Sequence, residues 1–287
     1  MSDFIFVVGA PKSGTFYLHE LFNSSADITV SKMKEPNYFV NAVFNAEGMK
    51  YCKSEEEYFL QYSENDSNFF SDCSPSYLRC KESPALIKDF CRKHNFNPKI
   101  IIMLREPVSR AYSNWKMDVR QGHQKMEFLE ALFNDHSSND SKMHIQYEYF
   151  KSGNYYSQVK AYLDVFGTEN VLINISERTK GNKSLFVENV SNFLGIKLDT
   201  LEVDTNQDVE PKNFLIKELY YSKLFRRLQR AILSDSHKEF LRSKLFKAAK
   251  SKPLSELERE KAKELFKEDV ARLKELIGDS LAEWMYE

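Results

Sequence analysis

Phe4–Leu18 reads FIFVVGAPKSGTFYL, and the placing of its two glycines and one lysine decides the fold. Phe4–Val8, five apolar residues that are β-branched or aromatic, predicts a short buried strand stopped by Gly9. Thr15–Asn23, with Phe16, Leu18, Leu21 and Phe22 apolar, predicts the helix that follows. A glycine-containing turn that enters a helix is an anion site. Its backbone N–H groups point outward, and the helix dipole favours negative charge there. A nucleoside-triphosphate loop needs a lysine directly after its second glycine. Gly9 and Gly14 keep the spacing of such a loop, but Thr15 holds the lysine's place and the loop's lysine is Lys12.

A second stretch bears on the same point. Lys99–Leu104, KIIIML, predicts another buried strand, and it ends in Arg105. A Mg-dependent nucleotidase usually places an acidic metal ligand at the end of such a strand. A cation there suits an anionic ligand and does nothing for Mg²⁺. The two departures together predict a nucleotide-like anion held without metal by Lys12, Arg105, backbone N–H groups and hydroxyls. A plain connector with a solvated Lys12 is the other reading of the Pro-Lys-Ser-Gly turn, and Arg105 weighs against it.

Strand and helix signals alternate along the chain. Ile28–Val30, Phe69–Phe70 and Asn170–Ile175 read as further strands. Glu55–Tyr62, Ser83–His94, a segment from Pro107 to about Met117, Tyr155–Phe166 and Ser184–Leu194 read as helices, the last ending at Gly195. Everything beyond Phe214 reads as helical, and the final helix opens with a capping box, Ser255 to Glu258. Asn134–Lys142 is the most loop-like stretch. This alternation predicts an α/β fold, a central parallel sheet flanked by helices with a helical C-terminal part. No repeat or Pro/Gly-rich boundary divides the chain, so residues 1–287 are expected to form one domain.

The 41 basic and 42 acidic residues give a net charge of −1, which points to no particular partner, nucleic acid included. No apolar run approaches the ~18 residues that cross a bilayer. The N-terminus lacks the basic stretch of a signal peptide, and Cys52, Cys73, Cys80 and Cys91 form no CxxC pair, so a cytoplasmic protein with reduced thiols is expected. The six histidines are scattered, and no metal site is expected.

The chain resembles the sulfotransferases that use 3′-phosphoadenosine 5′-phosphosulfate (PAPS). Residues 10–18, APKSGTFYL, are similar to their 5′-phosphosulfate loop, and residues 104–117, LREPVSRAYSNWKM, to their 3′-phosphate segment. The two occur in the expected order about 90 residues apart. SGNYYSQVKAYLDVFGTENVLI and FKEDVARLKELIGDSLAEW extend the likeness over nearly the whole chain. Lys34-Glu35-Pro36-Asn37-Tyr38-Phe39 resembles the KEPxxF segment of the bacterial and glycan-type branch. The resemblance implies a P-loop-like sulfotransferase fold and a PAPS-dependent sulfotransferase that leaves 3′,5′-adenosine bisphosphate, with no metal. It implies that Lys12 meets the sulfonate and the bridging oxygen, and that Ser13, Gly14, Thr15 and Phe16 cradle the 5′-phosphate. Arg105 and Ser113 would grip the 3′-phosphate, with Lys212 and Asn213 in a late loop over the donor. Glu35 would be the general base toward an acceptor hydroxyl on a carbohydrate or small molecule, possibly acidic. Glycan-type relatives often carry a lysine where this chain has Cys73, so catalysis is expected to lean more on Lys12. An atypical P-loop kinase is the alternative enzyme reading. A nucleotide-binding or basic-surface protein without catalysis is the third.

Some features have plainer readings. Without the family, Glu35 is a surface acid before a proline, and His19 is a packed or surface residue of the first helix. Tyr38, Phe39, Phe69, Phe70, Tyr77 and Trp115 are expected mostly in the core. Lys217–Lys252 carries a local +8, which leaves −9 for the rest. It is read as a solvated helical face, with a basic rim or a membrane-surface stripe as the sharper alternatives.

Overall fold

Along β1 (Asp3–Gly9) successive side chains leave on opposite faces. Phe4, Phe6 and Val8 enter one apolar layer and Ile5 and Val7 the other, each almost fully buried. A strand buried on both faces needs helices on both. The computed structural model of the chain has this arrangement. It describes residues 2–40, 51–62, 67–137, 148–202, 209–213, 244–248 and 253–286, with single positions at 216, 219, 220, 222, 225 and 237.

Five parallel strands run in the order β2 (Ile28–Val30), β3 (Phe69–Asp72), β1, β4 (Asn97–Leu104) and β5 (Val171–Ile175). On one face, α3 (Ser83–His94), α4 (Pro107–Arg120), α6 (Tyr156–Phe166) and α9 (Glu256–Ile277) supply Ile87, Phe90, Val108, Val159 and Phe266 to the layer around Phe4 and Phe6. On the other, α1 (Thr15–Asn23) and α8 (Lys183–Leu194) pack Leu18, Leu21, Val187 and Val190 around Ile5 and Val7. Helices α2 (Glu55–Phe59), α5 (Phe128–Ser137) and α7 (Ser176–Gly181) lie in the connections between these elements. The chain leaves β1 toward one edge of the sheet and β4 toward the other. The carboxyl ends of these two neighbours therefore form the crevice where open α/β sheets bind ligands.

Three expectations need correction. The C-terminal part is not wholly helical: β7 (Phe246–Ala248) pairs antiparallel with β6 (Val209–Pro211). The amide of Lys212 also donates to the Leu245 carbonyl at 2.9 Å, so strand pairing over a long separation overrides the local pattern. Within the loop-like stretch Asn134–Lys142, Asn134–Ser137 is helical, because α5 buries Phe128, Ala131 and Leu132 and carries those polar residues on its last turn, and 138–142 lie outside the described residues. Helix α2 stops at Phe59, short of Tyr62. Most of the basic stretch 217–252 lies outside the described residues, as do Leu224, Leu228 and Ile232, which with Phe225 make up the apolar stripe read there. Phe39 and Tyr77 are core, while Tyr38, Phe69, Phe70 and Trp115 are half-buried against it.

One carboxyl sits at the end of β3 inside this packing. Asp72 is fully buried and accepts from Tyr58 Oη at 2.9 Å, Tyr77 Oη at 2.8 Å and Ser74 Oγ at 2.6 Å. Burial pushes it up to about 6 from 3.8, the hydroxyl donors oppose this, and the charge of Glu35 adds to it. Between those two values the native state binds more protons than the unfolded one, so Asp72 makes stability fall as pH rises from about 4 to 6. The full cost, at most about 3 kcal/mol, is present above that range. Asp72→Asn, compared with the parent by urea unfolding, should therefore gain about 2 kcal/mol relative to it on going from pH 4.5 to pH 7. A pH-independent difference would mean that Asp72 is not protonated in this window.

Candidate active site

The turn after β1 is shaped by what it packs against. A Cβ on Gly9 would lie 2.4 Å from Leu78 Cβ, and the Leu78 amide donates to the Val8 carbonyl at 2.6 Å. Gly9 thus lets the Pro75–Leu78 turn close on the end of β1. Gly14 has φ +97°, the left-handed region that favours glycine, and it opens α1 with no side-chain cap and no acidic residue in the first turn. The first-turn N–H groups at Thr15 and Phe16 therefore meet no protein anion from the helix itself. Thr15 is buried and Phe16 is 39% exposed.

Arg105 joins this loop directly. Its Nη1 donates to the Lys12 carbonyl at 3.0 Å. Its own carbonyl accepts from Tyr155 Oη at 3.0 Å. The next amide, Glu106 N–H, donates to Glu177 Oε1 at 3.2 Å, while Trp284 Nε1 donates to Glu177 Oε2 at 3.2 Å. Glu106 caps α4 by accepting from the amides of Val108 and Ser109 at 2.9 and 2.7 Å. It also accepts from Tyr286 Oη at 2.9 Å and Arg259 Nη1 at 3.3 Å. The backbone around Arg105 is thus clamped by α6, α7, α9 and the residues that follow α9.

Lys12 Nζ lies 3.8 Å from Met117 Sδ on α4. Ser113 is half-buried and stands four residues before Met117, one turn away on the same helix face. That spacing puts Ser113 on the side of α4 that faces the loop. Lys180 on α7 is held below its usual range, first by burial and next by the charge of Arg105, with Glu177 opposing. It is a further cation near Arg105 that the sequence reading did not find.

Two buried polar atoms at this junction have no hydrogen-bond partner: Ser13 Oγ and Arg105 Nε. An unpaired buried donor is costly. Two of them, beside an uncapped helix start and Lys12, fit a bound polyanion. Among the described residues, no three His, Cys, Asp or Glu side chains gather as a metal group, and no helix is long and apolar enough to cross a membrane.

Glu35 stands beside the start of α1. Lys34 Nζ lies 3.7 Å from Glu35 Oε1 and 4.6 Å from the centre of the Phe16 ring. The Glu35 side chain keeps 44% of its surface exposed. The protein around it still pushes the carboxyl above its ordinary range, and Lys34 opposes that shift. The turn that carries it is fixed by Asn37, which is buried with φ +50°. Asn37 Nδ2 donates to the Glu35 carbonyl at 3.0 Å, and Asn37 N–H donates to Ser74 Oγ at 3.0 Å. Ser76 Oγ donates to Asn37 Oδ1, and the Tyr38 amide donates to Tyr77 Oη at 2.9 Å.

The structure thus brings Lys12, Ser13, Gly14, Thr15, Phe16, Arg105 and Ser113 to one crevice, with Glu35 on its flank. Lys212 and Asn213 are exposed; the Lys212 amide donates to the Leu245 carbonyl beside β7, and Asn213 Oδ1 accepts from the Ile216 amide. Cys73 is buried among Ile5, Val7 and Tyr17, and burial pushes its thiol up to about 12, so it is a neutral packing residue. His19 is half-buried, and burial lowers its basicity. Besides Lys180, four residues that shape the site escaped the sequence reading. Asp72 and Ser74 stood in a segment read only for Cys73. Glu106 was legible as a helix cap, since Pro107 follows it. Glu177 carried no sequence signal.

The sulfotransferase domain family profile matches residues 2–274. The bifunctional heparan sulfate N-deacetylase/N-sulfotransferase 4 of Mus musculus is 26% identical over 197 residues, which are 66% of this chain and 22% of that protein. The chain therefore spans about a fifth of the length of that relative. The crystal structure of a sulfotransferase from Alicyclobacillus acidocaldarius superposes with a TM-score of 0.71 at 24% identity, covering 99% of this chain and 98% of the other, a likeness of fold.

Proposed function

The chain belongs to the sulfotransferase domain family, and from that premise we propose that it moves a sulfonate from PAPS to an acceptor hydroxyl, with Glu35 as general base and Lys12 as charge stabiliser. The observation that carries the donor assignment is the pair of unpartnered buried donors, Ser13 Oγ and Arg105 Nε, at one uncapped helix start. When bound, PAPS supplies the sulfonate and departs as 3′,5′-adenosine bisphosphate. Lys12 and the N–H groups of Gly14, Thr15 and Phe16 would hold its 5′ end, with Arg105 and Ser113 on the 3′-phosphate. Lys212 and Asn213 are retained in this reading as residues over the donor.

The residues divide the work as sulfuryl transfer requires. Such chemistry asks the protein for in-line positioning and for charge stabilisation. Glu35 takes the proton of the attacking hydroxyl, and its upward shift makes it a better base once ionised. Lys12 meets the charge that gathers on the leaving phosphate oxygen. No residue in this scheme calls for a metal. A carbohydrate acceptor is favoured, supported by the KEP segment and by heparan sulfate, the glycan in the name of the mouse relative; small-molecule hydroxyls are the other class. We read residues 1–287 as one domain. The four free, buried cysteines suit a reducing compartment such as the cytoplasm.

A screen of glycans and small alcohols with labelled PAPS tests the activity. Titration calorimetry tests the donor site: adenosine 3′,5′-bisphosphate should bind without Mg²⁺, and MgATP should not compete. Arg105→Ala should weaken the bisphosphate by about 10–100-fold, the worth of charge-assisted hydrogen bonds. The same variant should bind adenosine 5′-phosphate nearly as well as the parent does. Equal losses for both nucleotides would move Arg105 off the 3′-phosphate.

A further inference from the structure

Asp72 is the hub of a hydrogen-bond network that ends on the backbone of the Glu35 turn. Its Oδ1 accepts from Ser74 Oγ at 2.6 Å, and Ser74 Oγ in turn accepts from the Asn37 amide at 3.0 Å. Its Oδ2 accepts from Tyr77 Oη at 2.8 Å, and Tyr77 Oη accepts from the amides of Tyr38 at 2.9 Å and Phe39 at 3.4 Å. Asn37 closes the circuit by donating from Nδ2 to the Glu35 carbonyl at 3.0 Å. Each hydroxyl donates to Asp72 and so turns its lone pairs toward the turn, which is the direction the amides need. Without a carboxylate at Asp72 nothing orients these two hydroxyls as acceptors, and a protonated or amide side chain there competes as a donor.

The network joins the end of β3, the Pro75–Tyr77 turn and the Lys34–Phe39 segment, beside the Ser76 Oγ bond to Asn37 Oδ1 and the Phe39–Tyr77 ring contact. Asn37 sits at φ +50°, a left-handed conformation that asparagine enters more readily than other non-glycine residues, and these bonds select it. Tyr58 Oη, a third donor to Asp72 at 2.9 Å, fixes the carboxylate from α2, and Tyr62 Oη donates to Tyr58 Oη at 3.3 Å. Fixation of a base within a fraction of an ångström is a sizeable part of catalysis by orientation.

We propose that Asp72 is the positioning residue for Glu35, acting through Ser74 and Tyr77 to hold the Asn37–Tyr38 backbone and with it the reacting carboxylate. This rests on the reading of Glu35 as general base. The test compares Asp72→Asn, Ser74→Ala, Tyr77→Phe and Glu35→Gln in the full chain. Three quantities are read: amide hydrogen exchange, affinity for adenosine 3′,5′-bisphosphate, and bisphosphate release from labelled PAPS in single turnover with water as acceptor.

Asp72→Asn should speed exchange at the Asn37 and Tyr38 amides by about tenfold or more while β1 amides keep their protection. Turnover should fall by about 10–100-fold with bisphosphate affinity unchanged within about twofold. Ser74→Ala should release Asn37 alone and Tyr77→Phe should release Tyr38, each with a smaller loss of rate; these two carry the test where Asp72→Asn does not fold. Protected Asn37 and Tyr38 amides in all three variants, or normal turnover while Glu35→Gln is slow, would overturn the proposal. Exchange that rises equally across β1 and β3 would also overturn it, since Asp72 would then be a general core residue. Full-rate Glu35→Gln with faster Asn37 exchange in Asp72→Asn would instead remove the base assignment and leave the network as a loop anchor.

Discussion

Lys12→Ala is expected to lower sulfonate transfer by about 10²–10³-fold, the range seen when one charge-stabilising donor is removed from a preorganised site. The expectation follows from where Lys12 stands. Its backbone is in the left-handed region at φ +70°, its carbonyl is tied to Arg105, and its side chain reaches across to Met117 on α4. The lysine is thus held at the junction of the loop and the β4–α4 corner, rather than pointing along a solvent-facing turn. The substitution exchanges one non-glycine residue for another, so the backbone of the turn should survive. Adenosine 3′,5′-bisphosphate should still bind, weakened by about tenfold or less, because Arg105 and the start of α1 remain. Lys12→Arg should restore part of the rate through its charge. A Lys12→Ala enzyme with full turnover and weakened binding would make Lys12 a ground-state anchor only.

Glu35→Gln should cost about 10²–10⁴-fold in turnover, the usual worth of a positioned general base, with donor affinity unchanged. The pH profile carries the sharper test. Burial raises Glu35, and the base must be ionised to act, so the parent's rate should rise with pH through a Glu35 pKa displaced above the ordinary glutamate range. Glu35→Gln should lose this acidic limb along with the rate. Lys34 opposes the shift from 3.7 Å, so Lys34→Met should move the limb to still higher pH while leaving the rate on the plateau near that of the parent. An acidic limb that persists in Glu35→Gln would assign the titration to another group.

The sheet was legible because its strands are buried on both faces and so read as unbroken apolar runs. FIFVV and KIIIML needed no partner to be recognised, and they are the neighbouring central strands whose ends make the crevice. The placing of the loop and Arg105 was legible for a related reason: glycine spacing and a cation at a strand end are displayed in the sequence, and the structure joins the two through the bond from Arg105 to the Lys12 carbonyl. The Phe246–Ala248 strand was not, since it exists only by pairing with Val209–Pro211 across more than thirty intervening residues. Helix α5 was hidden by the polar residues on its last turn. Asp72 was hidden for a deeper reason. Its role is set by three hydroxyls from Tyr58, Ser74 and Tyr77, and by the backbone amides of a turn near Asn37. Only Ser74, two residues on, stands beside it in the sequence; the other partners are not implied by its neighbours. Glu177 is the same case, since its role comes from Trp284, over a hundred positions later.

The clamp on Arg105 also sets a timetable. Tyr286 bonds Glu106 across 180 positions of sequence. At a translation rate of about 5–20 residues per second, roughly 10–40 s separate the two on the ribosome. During that interval the strands that flank the crevice are already made, yet its cationic corner lacks the contacts that fix it. The corner around Arg105 is therefore completed only once Trp284 and Tyr286 have been made, long after the helix cap and the strand end that they hold.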